Sequence, residues 1–570
     1  MGTTAVRFRA VSAPDFRPNS DFSKGWNFAD VWEFNAAKFP DATAIEQGKR
    51  SYKWSEMNAR ANGVAQTLIN AGATRNDKVA QYMHNCVEYM ESLFALFKAS
   101  FVPVNTNYRY TENELLYLWD NSDAVAVIFH ATYTEQCAAL RDRCPKVKTW
   151  IWVDDGTTPC PDWAINYESA AASHAPNVAP PWKRSGDDMY FLYTGGTTGM
   201  PKAVMWRHED LLHALDQPSR VKFPDAVDIT WLNERLAKPG PKNLPGAPLM
   251  HGTAAFNAIW AWTLAGSVVT LEGRSFNAAE FLDTIEQHRA NSITIVGDAF
   301  GRPIVDALDK EPNRWDLSSL KFVFSSGVMW SADNKAGFLR HCKQVTIIDS
   351  LGSSEAVGMA SSSTSSDAAA DTAHFKLSAN TRVLTEDGRE VVPGSGERGR
   401  VAIKGWTPIG YYKDEVKSAN TFVTFNGVRY SIPGDWAEVE ADGTVKLLGR
   451  GSQCINTGGE KVYPEEVEET LKTHADVEDA AVVGVPHERF GESIVALVEP
   501  RTGAQPDAET LIAHAKESLA GYKAPRTVLF VDSVNRAPNG KLDYRALKEL
   551  ALSRLSLSLI HISEPTRPER

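Results

Sequence analysis

The 570-residue chain has no run rich in Lys and Arg, and its formal net charge is −11. Nucleic-acid binding normally needs a basic patch, so no nucleic-acid partner is expected. An acidic total does not exclude anionic substrates, because a few oriented N–H groups and lysines bind phosphate locally. Cysteine is scarce: Cys86, Cys137, Cys144, Cys160, Cys342 and Cys454 are the six, and none forms a CxxC pair. In so long a chain they read as scattered reduced thiols rather than a disulfide framework. The N-terminal residues lack an apolar core of the kind that directs secretion. The opening Met-Gly has Val6 where a myristoylation signal wants Ser or Thr. The most apolar stretch, 254–271, is interrupted by Asn257 and Thr263. Its Gly266 followed by SVVTL reads as a helix turning into a buried strand, not a membrane span. No transmembrane segment is expected, and a cytoplasmic location is.

What is present is an ordinary globular composition, 43% apolar and 23% charged. The length exceeds one hydrophobic core, so two or more domains are expected. Short apolar strands at 124–129, 292–296, 321–324 and 345–348 alternate with helical stretches such as 88–99 and 278–289. That order predicts an α/β fold with largely parallel sheets. From 381 to 448 the turn signals EDGRE, VPGSGERG, FNGVRY and ADGTV predict a β-rich tract of hairpins. The Ser/Ala-rich run 360–371 reads as a mobile loop. After 452 the pattern changes. Pro464 opens a helix at its N1 position, followed by strands at 480–485 and 493–499, a helix at 508–519 and a strand at 527–531. The expected architecture is a large N-terminal domain of layered sheets and helices with a β-rich subdomain (1–449), a hinge (450–452) and a small α+β C-terminal domain (453–553). Residues 554–570 include LSLIHISEPTR, which matches a reading frame of a sequencing-library adapter, and are expected to be a disordered tail.

The sharpest chemical signal is YTGGTTGMPK at 193–202. Gly195, Gly196 and Gly199 permit backbone angles that turn several N–H groups toward one point. Thr194, Thr197 and Thr198 add hydroxyls, and Lys202 adds a cation, which together suit a polyphosphate. The segment is not a Walker A loop, since Met200 and Pro201 separate Gly199 from Lys202 and Ala203 follows.

This segment resembles the phosphate loop of the adenylate-forming superfamily of acyl-CoA synthetases, luciferases and peptide-synthetase adenylation domains. Further motifs follow in that family's order. Leu351-Gly352-Ser353-Ser354-Glu355 resembles its aromatic-G-x-T-E element, Gly434-Asp435 its T-G-D, and Gly449-Arg450 its hinge-side G-R. The stretch 457–464, TGGEKVYP, resembles its G-G-x-x-V-x-P, and Asn539-Gly540-Lys541 its terminal P-x-G-K. The resemblance covers about 28–550.

It implies ATP, Mg²⁺ and CoA as cofactors and co-substrates. By the resemblance, Thr194 to Gly199 and Lys202 hold the β/γ-phosphates, and Glu355, with Thr194, faces Mg²⁺. Asp435 accepts from the ribose hydroxyls and Arg450 lies beside them. Ser326 and Gly327 wall the adenine and acyl pockets. Leu351 stands where the family has an adenine-stacking aromatic, and Ser354 replaces Thr. Lys541 bridges carboxylate and phosphate during adenylation. Rotation about a hinge at Ser452 would then replace it with Gly458 and Gly459, beside the pantetheine arm. Leu249-Met250-His251-Gly252 resembles the segment beside the acyl site, where His251 orients or gates the acid. Ala254 and Ala255 suggest a wide tunnel for long or bulky acyl groups. Segments at 206–210, 297–303 (GDAFGRP) and 325–331 most resemble bacterial fatty-acyl or steroid-side-chain CoA ligases. The expected activity is an acyl-CoA synthetase. An acyl-AMP ligase loading a carrier protein and a non-catalytic nucleotide or acyl-ligand binder are the alternatives. The partners expected are the small-molecule acid, ATP and CoA, and a homo-oligomer is compatible with the sequence.

Overall fold

A computed structural model describes residues 18–562, apart from 174–177, 179, 197–198, 329, 367–373, 451–452, 458–459, 488–490, 520 and 538–539. The alternation read from the sequence builds two large sheets and a small one. In the eight-stranded sheet, Val102–Asn105, Lys78–Tyr82, Ala124–His130 and Thr149–Val153 run parallel. They are buried on both faces by helices, as parallel strands usually are. Met189–Gly196 joins this sheet and turns back as the antiparallel strand Gly199–Arg207, which Gly410–Tyr411 flanks.

The largest sheet is parallel only in its first part, through Lys242–Pro245, Ser292–Ile295, Phe322–Ser326 and Thr346–Ser353. From Ala356–Thr364 onward it runs antiparallel, so the expectation of largely parallel sheets holds for only part of it. The same strand corrects the mobile-loop reading of 360–371. Residues 360–364 pair with Thr346–Ser353, which satisfies their backbone groups, while 367–371 lie outside the described residues. The hairpins expected at FNGVRY and ADGTV form, with Asn426 and Gly427 both at positive φ.

Helix Gly252–Thr263 lies in the shared core, where Trp32 meets Trp262 edge-on at 5.1 Å. The C-terminal domain has its own five-stranded sheet, with Val477–His487 paired to Gly491–Pro500 and helices Pro464–Lys472 and Ala508–Ser518 packed on it. Helix Tyr544–Ile562 runs past 554, so the expected disorder does not describe 554–562. Its Leu-rich sequence contains neither Gly nor Pro, and nothing in it stops a helix that has already started. Residues 563–570 lie outside the described residues. No helix among the described residues is long and apolar enough to cross a membrane.

Candidate active site

The phosphate-loop sequence is less of a loop than its glycines suggest. Thr194 to Gly196 and Gly199 to Lys202 extend the two strands of a hairpin, with Thr194 opposite Lys202 and Gly196 opposite Gly199. Thr197 and Thr198, at its tip, lie outside the described residues. Asn105 fixes the base of the hairpin. Its side-chain amide donates to the carbonyls of Tyr193 (2.9 Å) and Met250 (2.7 Å), and its oxygen accepts from Tyr193 N–H at 2.6 Å. One buried side chain thus sets both the hairpin and the residue before His251. Lys202 is ion-paired to Asp414, whose carboxyl that hydrogen bond holds below its ordinary value. Lys202 therefore faces a carboxylate on the hairpin's flank, whereas Thr194 lines the central cleft.

That cleft, about 1310 Å³, is also lined by Ser326, Gly327, Leu351, Gly352, Ser353, Ser354, Glu355, Asp435, His251 and Lys541. Residues far apart in sequence meet there because the sheet edges and the C-terminal domain converge. Glu355 is 8% exposed. Its carboxylate accepts from Tyr411 O–H at 2.7 Å, and its carbonyl from Ser431 Oγ at 2.6 Å. Trp206 Nε1 donates to the Ser354 carbonyl at 2.9 Å. Leu351 is buried against Ala356 and Met359 while still bordering the cleft. Asp435 opens the strand Asp435–Val439, with its backbone opposite Arg450.

His251 caps helix Gly252–Thr263 and is half-buried. Burial, then the positive charges of Lys541 and Arg109, push its pKa down to about 4, so the imidazole is neutral near pH 7. The cleft continues along one face of this helix. Thr253, Asn257, Trp260 and Leu264, spaced four, three and four residues apart, line it and keep accessible surface. Ala254 and Ala255 do not widen it. They are 0% and 3% exposed and pack into the core on another face.

Two backbone hydrogen bonds tie Gly540 and Lys541 to Ala537. Gly540 N–H donates to the Ala537 carbonyl at 2.7 Å, and Ala537 N–H to the Lys541 carbonyl at 2.8 Å. Gly540, at φ +73°, presses against the N-terminal domain. A Cβ there would lie 3.0 Å from Val328 and 3.2 Å from Val296, so glycine permits the approach. Ser452, Gly458, Gly459 and Asn539 lie outside the described residues, as does the side chain of Arg450.

Sequence reading missed Asn105, Tyr411 and Asp414. Tyr411 and Asp414 sit in the tract read as hairpins, yet Gly410–Tyr411 crosses to the other sheet. The tract's turn signals predict hairpins locally but carry no information about which sheet a strand joins. Among the described residues no group of three or more His, Cys, Asp or Glu could hold a metal alone. A single buried carboxylate beside phosphate donors nevertheless suits Mg²⁺, which binds through one or two carboxylates plus substrate phosphates.

The hairpin, the Gly-Ser-Ser-Glu turn and Lys541 meet as the resemblance implied, and the chain belongs to the adenylate-forming superfamily of AMP-binding enzymes. The AMP-binding enzyme family model matches 32–412, and the model of the AMP-binding enzyme C-terminal domain matches 466–541. Among curated relatives, a medium/long-chain-fatty-acid–CoA/3-oxocholest-4-en-26-oate–CoA ligase of Mycolicibacterium smegmatis is 41% identical over 93% of this chain and 97% of its own. A 3-oxocholest-4-en-26-oate–CoA ligase of Rhodococcus rhodochrous is 43% identical over 92% and 95%. ATP-bound MatB from Rhodopseudomonas palustris superposes with a TM-score of 0.75 at 25% identity, covering 92% of this chain and 99% of that one.

Proposed function

We propose that this chain is an ATP-dependent acyl-CoA synthetase acting on hydrophobic acids, of medium or long chain or with a steroid side chain. The observation that carries the proposal is the arrival of Lys541, from the C-terminal domain, in the cleft that also holds Glu355, Asp435 and His251. In the first half-reaction a carboxylate oxygen attacks the α-phosphorus of ATP and pyrophosphate leaves. Two anions meet, so oriented donors and cations must offset their repulsion. Thr194 and the hairpin's N–H groups hold the outer phosphates, with Lys202 alongside. Lys541 spans carboxylate and α-phosphate, and Asp435 and Arg450 take the ribose. Glu355 would hold Mg²⁺, which when bound supplies further neutralising charge. Neutral His251 orients the acid without adding a charge.

In the second half-reaction the CoA sulfur attacks the acyl carbon and AMP leaves. We assign the hinge to 450–452 and the thiol's approach to Gly458 and Gly459. The acid extends along helix Gly252–Thr263. From His251 to Leu264 that helix spans roughly 20 Å at about 1.5 Å per residue, room for a long chain or a fused-ring acid laid lengthwise. The names of the relatives support that substrate range, and a cytoplasmic location accords with the CoA chemistry.

The test is acid-dependent pyrophosphate release, with and without CoA, over short, medium and long fatty acids, aromatic acids and sterol side-chain acids. Thioester formation with the hydrophobic acids is expected. ATP binding without pyrophosphate release for every acid would overturn the proposal.

A further inference from the structure

The segment Gly297-Asp298-Ala299-Phe300-Gly301-Arg302-Pro303 has no part in the chemistry above. It opens helix Gly297–Lys310 and places Asp298 and Arg302 four residues apart, on one face. Both meet the C-terminal domain. Arg302 Nη1 donates to the Glu478 carbonyl at 2.5 Å and lies 2.8 Å from the Glu478 carboxylate. Asp298 is anchored by Ser331 and by Asn334 (2.7 Å), and its other oxygen faces Lys472 at 3.8 Å. The two pairs have opposite polarity, one cation and one anion from each domain, which fixes orientation as well as contact.

The contact reaches Lys541 within one residue of Glu478. The neighbouring Asp479 accepts from Arg536 Nε (2.5 Å) and Nη2 (2.9 Å), and Arg536 Nη1 donates to the carbonyl of Gly540 at 3.0 Å. A path of contacts therefore runs from Arg302, through Glu478-Asp479 and Arg536, to the residue before Lys541. Arg302 is 15% and Arg536 17% exposed at the side chain, so solvent screens these pairs less than it would surface pairs.

We infer that Asp298 and Arg302 form an interdomain latch that seats Lys541 for adenylation and is not needed for thiolysis. Both are positioning residues: Arg302 acts through Glu478-Asp479 and Arg536 on the residue before Lys541, and Asp298 steadies the docked domain at Lys472. The inference rests on the adenylation role proposed for Lys541.

The test uses the full chain with R302E, E478R and the double R302E/E478R. ATP–pyrophosphate exchange reads the first half-reaction, and CoA thiolysis of supplied acyl-adenylate reads the second. Energy transfer between labels on the two domains reads the latch without activity. R302E is expected to lower exchange about tenfold, leave thiolysis within about twofold and lengthen the interdomain distance. The double swap is expected to recover at least threefold of the exchange and the wild-type distance. R302Q, which adds no repulsion, should lose about threefold. Equal loss of both half-reactions, unchanged exchange and distance in R302E, or a double variant no better than the singles would overturn the latch. Wild-type protein with no exchange on any acid would instead overturn the proposed function, and the adenylation role of the latch with it.

Discussion

The two lysines that the motifs point to are held in opposite ways. Lys202 is built into a strand of the N-terminal domain, opposite Thr194, and is already paired with Asp414. Its position is set by the ladder and by Asn105 beneath it. Lys541 is exposed on a loop of the other domain, and its place in the cleft depends on how that domain docks. A cation fixed in the wall can bind phosphate throughout a reaction, whereas one on a separate domain can be delivered for one step and withdrawn for the next.

Removing the delivered cation should have the largest effect. Lys541→Ala is expected to lower adenylation about 10²–10³-fold while sparing thiolysis of supplied acyl-adenylate. Equal loss in both assays would erase the contrast between the two lysines. Next is the rigidity of the wall. Asn105→Ala strands two buried carbonyls and an N–H, so a loss of about 3 kcal/mol in chemical denaturation is expected, with a higher KM for ATP. Full stability in this variant would show that the hairpin holds itself.

Acid should also loosen the wall before it touches the loop. His208 and His130 are 0% and 6% exposed and are kept neutral chiefly by burial, which lowers their pKa values to about 4 and about 3. Unfolding below the ordinary histidine value of about 6.5 takes up their protons, so stability is full above that value and falls as pH drops toward 4. At pH 5 each would cost about 2 kcal/mol, read as a falling Tm between pH 7 and 5. His208→Phe should flatten that slope. The smallest effect is expected from Asp414→Asn. Without its ion pair Lys202 loses one restraint, and the KM for ATP should rise about threefold, the scale of one partly exposed pair. An unchanged KM would mean that the strand alone positions Lys202.

Legibility in the sequence followed the range of the interaction. Helix Pro464–Lys472 was readable from its proline and first-turn acids, and the hairpin at Asn426-Gly427 from its dipeptide, because both signals are local. The segment GDAFGRP was legible only as a resemblance, and Asp298 and Arg302 within it were not singled out, since their partners lie 174 to 176 residues away, as the pairs Asp298–Lys472 and Arg302–Glu478 give by subtraction. Ala254 and Ala255 were readable as small but not as core-facing. Helical periodicity gives faces, and only packing says which face meets the cleft.

By itself, then, the sequence determined a phosphate-binding segment, and through its resemblance to a known family the adenylate-forming chemistry. Its motifs are short strings in which neighbouring residues share one backbone conformation, and Gly, Thr and Lys carry their phosphate affinity with them. Tertiary structure alone decided that Tyr411 would meet Glu355, that Asp414 would claim Lys202, and that Arg536 would join Asp479 to Gly540. Each is a meeting of groups that chain distance does not encode, fixed by which sheet a strand joins and how loops pack on it.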